Sequence, residues 1–304
     1  MKNLLIATTA LVATAGVAVA DVKVSGYARF GAVYDDSAAT GEDEVNTASR
    51  LRLQFDATTE TDGGLTLGVR QRFQAEENAG NAGGNQARFF ASAGGLTIAM
   101  GNILGVIEAA PNLYLPTKSA GMGLEGNGFA SLAANTYANG GAFGWTAYQS
   151  GTATITDGVE VIYSMNGIGL HAHSTDTSYG LGANYKFADY TVAVAYEEWN
   201  SGLRDGDNIL FASIGGKFGA FDAALSYADT EYGSVGSEKV SLRGGYTVND
   251  ALYVYGFVAD EDTVDTAYGL GASYGLGGGA SVEGGWTSNQ NGDNIVSAGI
   301  FFSF

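Results

Sequence analysis

From Val22 to the C-terminus apolar residues recur at every second position, the period of a strand whose two faces meet unlike surroundings. In the first segment Val22, Val24, Ala28, Phe30, Ala32 and Tyr34 share one face, and Lys23, Ser25, Tyr27, Arg29 and Asp35 share the other. Leu51, Leu53, Phe55 and Ala57 then oppose Arg50, Arg52, Gln54, Asp56 and Thr58. Next, Leu65, Leu67, Val69 and Phe73 oppose Thr66, Arg70, Arg72, Gln74 and Glu76, with Gln71 intruding on the apolar face. The last segment sets Val296, Ala298, Ile300, Phe302 and Phe304 against Ser297, Gly299 and Ser303.

The connections alternate as well. Tight turns are expected at Asp62-Gly63-Gly64, Gly94-Gly95, Asn166-Gly167, Ala188-Asp189, Gly219-Ala220, Asn249-Asp250 and Gly277-Gly278-Gly279. Between them lie longer polar or acidic links near 36–46, 77–85, 102–157, 174–178, 200–206, 229–237, 260–265 and 288–293. Seven turns and eight links join sixteen strands, the plan of an all-β, antiparallel, up-and-down transmembrane barrel. Closure leaves no strand edge unpaired in lipid. Both prolines, Pro111 and Pro116, fall in the longest link, so no strand loses a ladder donor to them. Aromatics bracket the tight turns in pairs, Phe187 with Tyr190, Phe218 with Phe221 and Tyr246 with Tyr253. Their recurrence favours an interfacial girdle over ordinary cross-strand packing in a soluble sheet.

Composition removes other classes. The chain has no cysteine, hence no disulfide framework, Cys-ligated metal or thiol nucleophile. A net charge of −18 argues against a nucleic-acid partner, and 45% hydrophobic residues argue against disorder. Residues 1–20 carry Lys2, an apolar stretch from Leu4 to Val19 and Ala18-Val19-Ala20 before Asp21, the pattern of a cleaved export signal. A spanning helix would need about 20 strongly apolar residues, and this stretch is diluted by Thr and Gly. The expected mature domain is a single barrel over 21–304.

Six of the eight arginines, Arg29, Arg50, Arg52, Arg70, Arg72 and Arg88, lie in the first four strands on the polar face. An arginine facing lipid at the midplane costs about 2–4 kcal/mol, so these should form a positive patch in the lumen. Neighbouring acids such as Asp56 and Glu76 offer a competing role for the same patch, simple neutralisation of a solvated wall. The link at 102–157 carries only Glu108, Lys118, Glu125 and Asp157 as charges and is locally apolar at Ile103, Leu104, Val106, Ile107, Leu113, Tyr114 and Leu115. Such a segment suits burial inside the barrel better than solvation outside it.

Asp21-Val-Lys-Val-Ser-Gly-Tyr-Ala-Arg-Phe-Gly, Ser49-Arg-Leu-Arg-Leu with the Thr58-Thr-Glu-Thr-Asp turn, Thr266-Ala-Tyr-Gly-Leu-Gly-Ala-Ser-Tyr-Gly-Leu-Gly-Gly-Gly-Ala-Ser-Val and the terminal Phe304 together resemble the general porins of the alphaproteobacterial, purple-bacterial type. The resemblance implies a homotrimer of 16-stranded barrels in outer-membrane lipid, passing small hydrophilic solutes and ions without enzymatic chemistry or a cofactor. It also implies a third external loop folded inward, here about 102–157, so that wall arginines face loop acids across a constriction. By that resemblance the basic side is Arg29, Arg50, Arg52, Arg70, Arg72 and Arg88 and the acidic side Glu108 and Glu125. Calcium sites occur in the family, but Asp35, Asp36, Glu42, Asp43, Glu44 and Asp260-Glu261-Asp262 have no spacing that assigns one.

Three rivals remain in view. A barrel enzyme would need His171 and His173, which share a strand face. A sugar-selective channel of eighteen strands would make a further hairpin of 131–138 and 142–149. A soluble secreted adhesin would dissolve without detergent.

Overall fold

A computed structural model describes residues 21–38, 43–76, 83–114, 143–151, 157–233, 235–262 and 264–304; the export segment at 1–20 lies outside them. The strands are β1 (Asp21–Asp35), β2 (Val45–Glu60), β3 (Thr66–Glu76), β4 (Gly83–Gly84), β5 (Arg88–Ala93), β6 (Leu96–Asn102), β7 (Asp157–Met165), β8 (Ile168–Thr175) and β9 (Ser178–Phe187). They continue as β10 (Tyr190–Trp199), β11 (Asn208–Phe218), β12 (Phe221–Tyr232), β13 (Val235–Thr247), β14 (Leu252–Glu261), β15 (Ala267–Gly277), β16 (Ala280–Ser288) and β17 (Asn294–Ser303). β4 and β5 both pair with β3 and are two lengths of one wall strand, so the wall has sixteen staves. Each stave pairs antiparallel with its sequence neighbours, and β17 returns to β1 to close the ring. At the seam the Gly26 and Phe304 backbones exchange hydrogen bonds of 2.9 and 3.0 Å.

All seven tight turns fall where the sequence puts them. Asn166 and Gly167 both take positive φ (53° and 82°), the two-residue geometry that matches strand twist. Two links at the other end are shorter than expected: in place of 229–237, β12 runs on to Tyr232 and β13 begins at Val235, and 174–178 shrinks to 176–177. Their polar residues are paired hairpin, with Asp229 opposite Glu238 and Glu231 opposite Gly236. Ladder pairing beyond the apolar belt still satisfies the backbone, so polarity there marks water, not the end of a strand.

The belt is turned inside out relative to a soluble sheet. On β12 Leu225 is 47% exposed while its neighbours Ala224 and Ser226 are buried; Leu170, Leu181, Leu242 and Leu270 repeat the pattern around the wall. An apolar surface this continuous belongs in lipid and disposes of the soluble adhesin. Gln71, the intruder on that face, donates to the Asn85 carbonyl (2.5 Å), filling the gap where β4 gives way to β5.

At the tight-turn end Phe187 stacks on Tyr190 (5.7 Å), Tyr190 meets Phe218 (5.3 Å) and Phe221 meets Tyr246 (4.5 Å), forming an outward aromatic rim. Tyr253 departs from the expected girdle. The 248–251 connection spans four residues, and Tyr253 faces the lumen, where it donates to Asp222 (2.9 Å). The extra hairpin of the eighteen-stranded reading has no place in the wall. β6 pairs directly with β7, with Asn102 opposite Asp157, and residues 143–149 form no strand; 131–142 lie outside the described residues.

Candidate functional site: the lumen and its inward limbs

Asn102 ends β6 beside its partner strand, yet the chain then turns into the barrel. Two limbs, 103–114 and 143–151, lie along the inner wall. Asn102 joins them, its carboxamide donating to the Gln149 carbonyl (2.7 Å) while the Gln149 N–H donates back (2.9 Å). Gly105 lets the limbs touch: at φ +78°, a Cβ there would sit 2.0 Å from the Thr146 carbonyl oxygen.

Apolar burial holds the limbs down. Val106, Ile107, Leu113 and Phe143 form one buried cluster with Ala193, Ala195, Trp199, Ile209, Phe211 and Ala228 of β10, β11 and β12. Around a sixteen-stave ring those strands stand across the lumen from β2 and β3. At the tip, the Asn112 side chain donates to the Thr191 carbonyl (3.3 Å) and its own carbonyl accepts from Ser226 (3.2 Å). The apolar residues of the link therefore pack where their composition predicts, apart from Tyr114, which is exposed, and Leu115, which lies outside the described residues together with Lys118 and Glu125.

The six arginines divide by partner. Arg50 pairs with Glu76, and Arg70 with Asp56 at 2.6 Å. Arg88 is buried against Glu160 at 2.6 Å, and Arg29 is only 5% exposed at the β1 seam. Arg52 and Arg72 are different: their Nε atoms donate to the neutral carboxamides of Gln74 (2.7 Å) and Gln54 (2.6 Å), and no described carboxylate pairs with either. Arg52 also lies over the Tyr27 ring (5.2 Å) and Arg72 over the Tyr148 ring (4.6 Å). Two full positive charges are thus held in fixed positions on the β2–β3 wall.

Glu108 is carried on the inward limb, within the fields of Arg52 and Arg72. Its carboxylate accepts from Tyr114 and from the Trp145 indole (3.0 Å). Burial pushes this carboxyl above the ordinary range, against those hydrogen bonds and the fields of Arg52 and Arg72, which act the other way. Burial likewise raises the Tyr148 phenol.

A second ionisable network lies beneath the limbs. Glu160 accepts from Arg88, from His171 (2.9 Å) and from the Leu104 N–H (3.1 Å). His173 accepts the Val106 N–H (3.1 Å), and Glu197 accepts from Thr146 through both N–H (2.8 Å) and hydroxyl (2.6 Å). The histidines share a face, as their spacing requires, with ring centroids 6.5 Å apart, but they are committed to this network. Neither Glu160 nor Glu197 stands among the residues expected from the sequence; lumen parity was the one signal that could have found them. Among the described residues no group of three metal-ligating side chains converges. Acids of the outer links tie neighbouring staves together, as where Asp36 accepts from Asn294 (2.6 and 2.9 Å) across the β1–β17 seam and Asp262, after β14, accepts from the Glu238 N–H of β13 (2.9 Å).

Comparison with known proteins gives the same picture. A family model described as Gram-negative porin matches residues 7–294. The porin of Rhodobacter capsulatus is 30% identical over 327 residues, covering 93% of this chain and all of that one. The porin of Fuscovulum blasticum is 29% identical over 300 residues with the same coverage. A solved mutant of Rh. blastica porin superposes with a TM-score of 0.80 at 28% identity, over 93% of this chain and all of the other.

Proposed function

Because the chain belongs to the Gram-negative porin family and is an outer-membrane general diffusion channel, we propose that its filter lies between Arg52 and Arg72 on the wall and Glu108 on the inward limb. The observation that carries this reading is the carboxamide pairing of the two arginines. Their charge is held in place without being neutralised, so it acts on passing ions, whereas Arg50, Arg70 and Arg88 spend theirs on adjacent carboxylates. Glu125 joins the acidic side in this reading. In this reading the loop at about 102–157 sets the size limit, its described limbs narrowing the lumen both across from the arginines and beside Arg72, which lies over Tyr148.

The working unit in this proposal is a homotrimer in outer-membrane lipid, and passage involves neither enzymatic chemistry nor a cofactor. The continuous apolar belt supports the lipid contact. Residues 1–20 are read as an export signal removed before Asp21, which N-terminal sequencing of the membrane form tests. Planar-bilayer recording of purified protein tests the channel itself. Stepwise ohmic currents arriving in triplets are expected, and their absence would count against the proposal.

A further inference from the structure

Three wall side chains do for the inward limbs what a helix cap does for a helix: they accept backbone N–H groups that would otherwise be buried unpaired. These are Glu160 for Leu104, His173 for Val106 and Glu197 for Thr146. All three are ionisable, and their side chains are fully buried. His173 differs from the two carboxylates in how it accepts. It uses Nδ1, so in the neutral ring the proton sits on Nε2, which faces Glu197 Oε1 at 3.9 Å. The ring lies directly over Gly180, where a Cβ would sit 2.6 Å from its Cε1, so the wall admits the imidazole in this position only because that residue is glycine.

We propose that His173 is the positioning residue that latches the inward limbs to the wall, and that protonation of its Nδ1 releases them, so that the channel's constriction is sensitive to acid. A second ring proton would face the Val106 N–H, two donors pointed at one another, and the bond would be lost. The charged groups around it are His171 on its own strand, Glu160 on β7 with Arg88 of β5 behind it, and Glu197 on β10, whose field also includes Arg204. Acid weakens both carboxylates as acceptors too, so every part of the latch responds in the same direction. His173 touches no solute in this scheme; it acts through the position of Val106 and of the limb that carries Glu108.

This inference rests on the reading of the limbs as the constriction. The test is single-channel recording of the full-length protein from pH 8 to pH 3, with His173→Asn, His173→Ala and Glu197→Gln alongside. Asparagine Oδ1 occupies nearly the position of Nδ1 and accepts the same N–H without titrating. Wild type should gain current noise and a second conductance level on acidification, the latched-to-released ratio falling by up to about tenfold per pH unit, the slope of one proton. His173→Asn should lose most of that response, keeping only the weaker part that the two carboxylates contribute, His173→Ala should be noisy already at pH 8, and Glu197→Gln should keep the His173-dependent response. An acid response in His173→Asn equal to wild type would overturn the proposal, as would a wild type indifferent to pH. Should His173→Ala fail to assemble, the comparison of wild type with His173→Asn decides alone. Failure of wild type to conduct at pH 8 would instead strike at the channel reading.

Discussion

Replacing Arg52 and Arg72 together by glutamine removes the two wall charges that no described carboxylate balances, and leaves Arg50–Glu76 and Arg70–Asp56 in place. For an ion passing about 6 Å from each guanidinium in water-like dielectric, each charge contributes roughly 0.7 kcal/mol before screening. At 0.1 M salt, with a Debye length of about 10 Å, roughly 0.4 kcal/mol per charge survives. The term has opposite sign for cation and anion, so removing both charges should raise the cation-to-anion permeability ratio by about tenfold. At 1 M salt the Debye length falls to about 3 Å, and the same change should shrink to about twofold. Reversal potentials across a salt gradient, measured at low and high mean salt, read both numbers. An unmoved reversal potential would remove these residues from the filter. A shift of equal size at both salt levels would show that the effect is not the screened field of the two charges.

Glu108→Gln should increase anion preference at pH 7. In wild type the same increase should appear as pH falls, beginning above the ordinary carboxylate range of about 4.3 because burial raises this carboxyl; a pH titration of reversal potential checks both. Gly105→Ala places a methyl against the Thr146 carbonyl at a positive φ, for a local cost of about 1–3 kcal/mol, and should leave barrel assembly intact while disturbing open-channel current. Leu225→Arg puts a charge on the mid-height lipid face and should cost about 2–4 kcal/mol in reversible folding into bilayers, an effect absent for a polar substitution of lumen-facing Ser226. Arg88→Ala leaves Glu160 buried with His171 as its remaining ionisable partner, and should lower unfolding stability by about 3–5 kcal/mol in a denaturant titration in detergent.

The wall was legible because lipid on one side and water on the other impose opposite demands on successive residues. Val24 and Ser25, or Leu51 and Arg52, can occupy only one parity each. The tight turns were legible because Asn166-Gly167 and its equivalents carry their own backbone chemistry. Strand ends were not, since Asp229 and Glu231 look like loop residues yet pair in a hairpin standing in water. Tyr253 was misplaced because a four-residue turn hides which residue resumes the ladder. The arginine cluster could be read from parity, but its division into neutralised and free charges could not. That division depends on whether the residue across the ladder is Glu76 or Gln74, a register known only from coordinates. Glu160 and Glu197 were missed for a related reason: a lone acid in a strand gives no sign that its partner is a backbone N–H some fifty residues away.

The Gly26–Phe304 seam has a consequence for how the protein comes into being. The two staves that close the ring are the first and last to leave the ribosome, so the contact of greatest sequence separation is also the one that abolishes the last open edges. Every earlier stave but β7, which follows the long inward loop, can pair with its predecessor across a short connection at low loop-closure cost, while the seam must wait for the whole chain. Until then both edges offer unpaired N–H and C=O groups that lipid cannot satisfy and another chain could. Folding should therefore be all-or-none at its final step. Truncating β17 by even a few residues should yield not a slightly weaker barrel but an open sheet prone to pair with other copies of itself.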